Sequence, residues 1–148
     1  MPDVFNGDHD VGGNGAETFT VREDLFAGTF VDANGGTDTL DADGAWVIND
    51  AVTLLDFEVL ALDTDRLTLS TTDFASFENL TGSGAASEGR VTLTPGATTF
   101  ATLEVGGLDT LVVDGSSIGE TLFFVTPQGS PPAEMTVFGH AGNDILDT

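Results

Sequence analysis

The strongest constraint on the fold is a repeat. Trp46-Val47-Ile48-Asn49, Arg66-Leu67-Thr68-Leu69, Arg90-Val91-Thr92-Leu93, Thr110-Leu111-Val112-Val113 and Met135-Thr136-Val137-Phe138 are short, apolar and strand-like, and successive starts are 20, 24, 20 and 25 residues apart. Inside each unit a second short strand recurs 11 to 13 residues later: Phe57-Glu58-Val59-Leu60, Phe77-Glu78-Asn79-Leu80, Leu103-Glu104-Val105 and Leu122-Phe123-Phe124-Val125. A unit that reads strand, turn, strand, turn in 20–25 residues is too small to bury its own apolar face. Stacked on copies of itself it makes one coil of a β-solenoid, with coils about 4.8 Å apart, inward apolar positions filling a narrow core, and glycines at the corners. Helix signals are nearly absent, because Gly or paired β-branched residues interrupt every window with 3.6-residue periodicity. The expected fold is all-β, a parallel β-solenoid with coils of about 20–25 residues spanning 1–148 as a single domain. An antiparallel sandwich, which also spaces strands at intervals of about 8–12 residues, is the competitor. It is disfavoured because the units align with one another. Ser83–Gly89 and Pro127–Pro132 read as loops bulging from longer coils.

The charge limits the partners. Twenty-five acidic residues against three basic ones give a net charge of −22. Three arginines cannot make the basic surface that nucleic acid or a polybasic lipid contact requires. No cysteine is present, so no disulfide framework or thiolate-bound metal exists. No run of residues approaches the roughly 20 apolar positions of a membrane helix, so no membrane insertion is expected. The first residues, Met-Pro-Asp-Val-Phe-Asn-Gly-Asp, do not read as a cleavable signal peptide. Yet 40% of the chain is hydrophobic, enough for a packed core. The carboxylates therefore belong on a folded surface or in turns. Trp46 and the 11 Phe are read as core.

Several turns carry a pattern that suits a hard cation. Gly139-His140-Ala141-Gly142-Asn143-Asp144-Ile145-Leu146-Asp147 matches the nonapeptide G-G-x-G-x-D-x-U-x at every fixed position but the second. Gly12-Gly13-Asn14-Gly15-Ala16-Glu17-Thr18-Phe19-Thr20 matches it with Glu in place of Asp. Gly36-Thr37-Asp38-Thr39-Leu40 and Gly107-Leu108-Asp109-Thr110-Leu111 keep its second half, and Gly115–Phe123, containing Glu120, is a degenerate further copy. Calcium takes six to eight oxygens at about 2.3–2.6 Å. Glycines in the turn expose backbone carbonyls, the acid adds a carboxylate where the turn becomes a strand, and the aliphatic residue two positions on anchors the strand in the core. Gly36, Asp38 and Asp109 are candidate ligands on this reading. Asp8, Asp10 and Asp32 could hold an ion through their turns, although no EF-hand loop is completed. The competing account is structural, since Gly, Asn and Asp dominate turns for backbone reasons alone.

With these motifs the chain resembles the RTX (hemolysin-type) calcium-binding repeat proteins, and especially the long-coil β-solenoids of bacterial surface-layer and adhesin-like proteins. In those, Phe-Glu-Asn-Leu strands such as Phe77–Leu80 alternate with Gly-rich calcium turns. The resemblance implies Ca2+ as the bound ion, folding that depends on it, type I secretion, and an extracellular or cell-surface location. It carries ligand roles onto Gly12, Asn14, Gly15 and Glu17, and onto Gly139, Ala141, Gly142 and Asp144. Members of that family run nonapeptides consecutively. Here the motifs stand apart, which argues against a regular ladder of ions.

The function expected is therefore a calcium-binding structural repeat segment of a bacterial secreted or cell-surface protein. It is expected to be part of a longer repeat protein, and to associate end to end with itself or with adjoining repeats. The alternative is a carbohydrate- or ice-binding solenoid, for which Thr68, Thr92 and Thr136 supply part of a threonine row. An enzyme is not expected. Gly115-Ser116-Ser117-Ile118-Gly119 matches the G-x-S-x-G nucleophile elbow, but that motif needs a helix after it, and Glu120–Val125 reads as strand. Asp63 and Asp65 read as a solvated turn rather than a glycosidase pair.

Overall fold

A computed structural model of the chain describes residues 3–42, 44–63, 66–82, 88–97, 100–125 and 134–147. It is an all-β solenoid of about 6 turns, with 3% helix and parallel sheets. One long sheet runs the length of the molecule, built from β1 (Asp3–Val4), β3 (Thr18–Val21), β5 (Thr39–Ala42), β7 (Val59–Leu62), β9 (Asn79–Gly82), β11 (Phe100–Val105), β13 (Thr121–Val125) and β15 (Ile145–Asp147), each paired in parallel with the next. A second side begins as single bridges, Leu25 with Ile48 and Val47 with Thr68. It widens into the sheet of β8 (Arg66–Ser70), β10 (Glu88–Thr94), β12 (Thr110–Asp114) and β14 (Glu134–Phe138). The third side is β2 (His9–Val11), β4 (Phe30–Asp32) and β6 (Thr53–Leu55), followed in the next coil by the single helical turn α1 (Thr71–Phe74).

Alternation within each strand decides which side chains enter the core. Phe19, Leu40, Leu60 and Leu80 stack as one inward row of the long sheet, and Leu67, Val91 and Val113 as a row of the second. All are at most 2% exposed. Aromatic rings reinforce the rows: Phe57 lies 5.4 Å from Phe19 edge-on and 6.5 Å from Phe77, and Phe74 lies 6.5 Å from Phe124. Each fully buried Phe or Leu contributes roughly 1.5–3 kcal/mol. α1 starts where Ser70 caps it, its Oγ accepting the Asp73 N–H at 3.1 Å. The helical turn drops Phe74 into the core.

The register refines the repeat. Partners in the long sheet are 21, 20 and 20 residues apart from Thr18 to Asn79, then 25 from Asn79 to Glu104. On the second side Arg90 lies beside Arg66, as the 24-residue step expects. Arg90 pairs onward with Val112 rather than Thr110, and Thr136 pairs with Val112. Thr68 and Thr92 therefore continue into Asp114 and Phe138, and Thr136 falls in the arginine row. The threonine row is thus two residues long. The cause is Glu88 and Gly89, read from sequence as loop, which are the first residues of β10. Ser83–Ser87, Pro127–Pro132 and Asp65 lie outside the described residues. The reading of every Phe as core fails at Phe5, Phe26, Phe100 and Phe138, which are 46–55% exposed. Among the described residues no helix is long and apolar enough to cross a membrane.

Candidate metal centres in two stacked turns

The corner that leads into the long sheet carries an acidic residue in coil after coil. Glu17, Asp38, Glu58 and Glu78 each stand immediately before a strand, β3, β5, β7 and β9 respectively. They are joined amide to carboxylate. The Glu17 N–H donates to Asp38 Oδ1 at 2.8 Å, and the Asp38 N–H donates to Glu58 Oε2 at 2.8 Å. Glu17 turns its own carboxylate back, and Oε2 accepts the Gly13 N–H at 2.7 Å. The backbone runs in parallel, with the Thr39 N–H on the Glu17 carbonyl and the Glu78 N–H on the Glu58 carbonyl. Asp38, in the middle, is 0% exposed, and its Oδ2 has no hydrogen-bond partner.

The glycines of these turns are needed for contact between coils. Gly12 lies against Glu17 Oε2 and the Ala33 carbonyl, where an added Cβ would meet the carbonyl oxygen at 2.6 Å. Gly36 has φ +147°, and a Cβ there would meet the Gly15 carbonyl oxygen at 2.7 Å. Turn 33–38 therefore packs directly on turn 12–17, although the motifs stand 21 residues apart. One coil of this length returns the chain to the same corner, so widely spaced motifs become neighbours.

A second stack has the same form. Gly115 lies five residues before Glu120 and Gly139 five before Asp144, as Gly12 lies five before Glu17. Glu120 Oε1 accepts the Ser116 N–H at 2.7 Å, and the Glu120 N–H donates to Asp144 Oδ1 at 3.0 Å. Glu120 is 1% exposed, and its Oε2 has no partner. Around the Cβ position of Gly115 three oxygens gather: the Phe138 carbonyl at 2.8 Å, the Gly139 carbonyl at 3.1 Å and Glu120 Oε2 at 3.2 Å. Gly142, φ +124°, seats turn 139–144 on Gly119, and Asp144 Oδ2 lies 2.5 Å from the Cβ position of Gly139.

An ionised carboxylate oxygen buried without a donor is costly. Carbonyl and carboxylate oxygens only accept, so a group of them is an environment for a cation and not for a proton donor already spent elsewhere. The oxygens are of the kind a hard divalent ion takes, and among the described residues no three His, Asp or Glu side chains converge on one point. The same carboxylates serve as staples that satisfy corner amides through one oxygen; in Asp38 and Glu120 the second oxygen is left without a donor.

The sequence-derived candidates divide accordingly. Gly12, Gly15, Glu17, Gly36 and Asp38 come together in the first stack, with Asn14 exposed at its rim; Gly139, Gly142 and Asp144 come together in the second, with Ala141 exposed. Asp109 stands apart. It is exposed at the opposite corner, between β11 and β12, and its carbonyl accepts the Glu134 N–H. Asp8 and Asp32 cap turns, accepting the Phe5 and Asn34 N–H groups, while Asp10 lies in β2 with Oδ2 buried and unpartnered. Two residues of the stacks were not among the sequence-derived candidates: Glu58, and Glu120, which stands in the degenerate copy at 115–123. The signal that finds both is an acid immediately before a long-sheet strand; the turn before Glu58 has no glycine to advertise it.

One carboxylate outside the stacks is perturbed. Burial raises Asp73 from 3.8 to about 6, against the Ser70 hydrogen bond and with a smaller push from Asp50. No protein-family model, curated protein or solved structure matches this chain.

Proposed function

We propose that the chain is a calcium-binding structural repeat segment of a bacterial secreted or cell-surface protein, of RTX-like or surface-layer type, whose coils close when calcium is bound. The observation that carries this reading is the pair of buried carboxylates, Asp38 and Glu120, each with one oxygen on a backbone amide and the other without a partner. Both stand in stacked Gly-rich turns. Calcium would supply the positive charge these oxygens lack, and its binding free energy would be folding free energy. Asp38, with one neighbouring carboxylate of the column and the carbonyls of turns 12–17 and 33–38, would hold one ion. Glu120 with Asp144 and the Phe138 and Gly139 carbonyls would hold another.

The net charge of −22 supports the same reading. Repulsion between carboxylates one coil apart opposes stacking until a divalent ion offsets it. Most of the acid lies outside the two stacks, as with exposed Asp50 and Asp56, and keeps sheet edges from pairing sideways. End-to-end association through further stacked coils is part of the proposal. The test is circular dichroism and melting in EGTA and then in calcium, with light scattering alongside. A calcium-dependent rise in melting temperature is expected. An identical strand spectrum and melting temperature in both conditions would sink the proposal.

A further inference from the structure

Beside the second stack lies a shallow groove of about 380 Å³, open along one side. Its floor is apolar, from Leu93 and Pro95, and its rim carries the hydroxyls of Thr94 and Ser117 and the imidazole of His140. It crosses three successive coils, because β10 ends at Thr94, turn 115–120 follows β12, and turn 139–144 follows β14. The volume falls in the usual range for small-ligand sites.

The imidazole is placed, not loose. His140 has a left-handed backbone, φ 61°. Its Nε2 lies 3.6 Å from Asp114 Oδ1, and Asp114 is itself held by Arg66 at 2.9 Å. Ser116 is turned away from the opening, being 4% exposed with its Oγ accepting the Ile118 N–H. The groove therefore offers hydroxyls that both donate and accept, and the other ring nitrogen of the imidazole, beside apolar walls. Among the described residues none that lines it is an acid, a lysine or an arginine. On a molecule of charge −22 the surrounding field repels anions, and no carboxylate lines the groove to pair with a cation.

We propose that this groove binds a neutral sugar ring. A pyranose has an apolar face and a hydroxyl-rich edge without charge, which is the complement of these walls. The inference reaches beyond the calcium reading and does not need it.

The test is saturation-transfer NMR and calorimetry with D-glucose, D-galactose, D-mannose and N-acetyl-D-glucosamine, with glucuronic acid as the charged control, in calcium buffer. Saturable binding of at least one neutral sugar is expected. It should be about tenfold weaker in His140→Ala, the loss of one good hydrogen bond. It should be abolished in Thr94→Trp, which fills the groove from β10 and changes no residue of either turn. No saturable signal from any of the neutral sugars would overturn the proposal. So would binding unchanged in both variants, or glucuronic acid bound as tightly as glucose. Calcium binding, titrated on wild type and Thr94→Trp without sugar, reports separately, so failure of one reading is not failure of the other.

Discussion

The two acidic stacks solve one problem in two places. In the first, Glu17, Asp38 and Glu58 share a register, since Thr18, Thr39 and Val59 pair strand to strand just after them. In the second, Glu120 and Asp144 precede Thr121 and Ile145, which pair likewise. The two columns do not line up along the sheet. Asn79 pairs with Glu104, so the column that ends at Glu78 runs on into Leu103 and Phe124. Phe100 pairs with Thr121, so the second column lies four residues upstream. The shift coincides with the loss of the third side. β2, β4 and β6 give way to α1; among the described residues no strand of the third side follows β6, and β11 and β13, of 6 and 5 residues, are longer than the 4-residue strands before them. The acid therefore follows the corner, not a fixed place on the sheet. Its role is tied to the turn that precedes each strand.

If the comparison is right, the apolar joint between the stacks is the point at which they separate. Phe74→Ala removes a side chain that is 0% exposed and faces Phe124. It is expected to cost about 3–5 kcal/mol, the largest effect of a single change, and to split thermal unfolding into two transitions. One unbroken transition at lower temperature would show that the stacks are a single cooperative unit.

The next test sets the stacks against each other. Glu120→Gln puts an N–H beside the Phe138 and Gly139 carbonyls, which now face an unpartnered carboxylate oxygen. The variant should be more stable than wild type in EGTA and less stable in calcium, by about 1–3 kcal/mol each way. Asp38→Asn should lose the calcium stabilisation of the first stack and leave that of the second. Chemical denaturation with and without calcium reads both. The same sign in the two conditions for Glu120→Gln would refute a cation role there.

Contact between turns is tested by Gly139→Ala, where the new methyl meets Asp144 Oδ2 at 2.5 Å. A loss of about 1–2 kcal/mol is expected, with calcium affinity lowered at the second stack alone. Smallest is the effect of Asp73, which belongs to neither. Its folded pKa of about 6 lies above the ordinary 3.8, so the native state binds the proton more tightly. Stability then falls as pH rises from about 4 to about 6 and stays lowered above that range. Asp73→Asn should flatten this slope, raise the stability at pH 7 by about 1 kcal/mol or less after solvent screening, and change little at pH 4. No difference in slope would place the buried proton elsewhere.

Much of this architecture is written in the local pattern. β8 and β14 extend their sequence-read cores by one residue, because apolar residues alternating with Thr suit a strand with one buried face. The solenoid followed from alignment of units. What the pattern hid was register. Glu88 and Gly89 look like loop residues and yet pair with Thr110 and Leu111, since a neighbouring strand overrides weak local propensity. α1 was hidden for the same reason, being four residues long and held by Ser70 and the burial of Phe74. At the sites, glycines advertised Asp38 and Asp144. The motif spacing argued against a regular ladder of ions, and the fold shows that one coil's length along the chain brings such turns into contact. Glu120 stood in a degenerate copy of the motif, and Glu58 became visible only when each coil was laid on the next.

The central claim is that Asp38 and Glu120 wait for a cation, and calcium titration by calorimetry tests it most directly. The account predicts saturable binding in two separable parts, one lost in Asp38→Asn and the other in Glu120→Gln. An absence of calcium binding, or a binding isotherm unchanged in both variants, would contradict it.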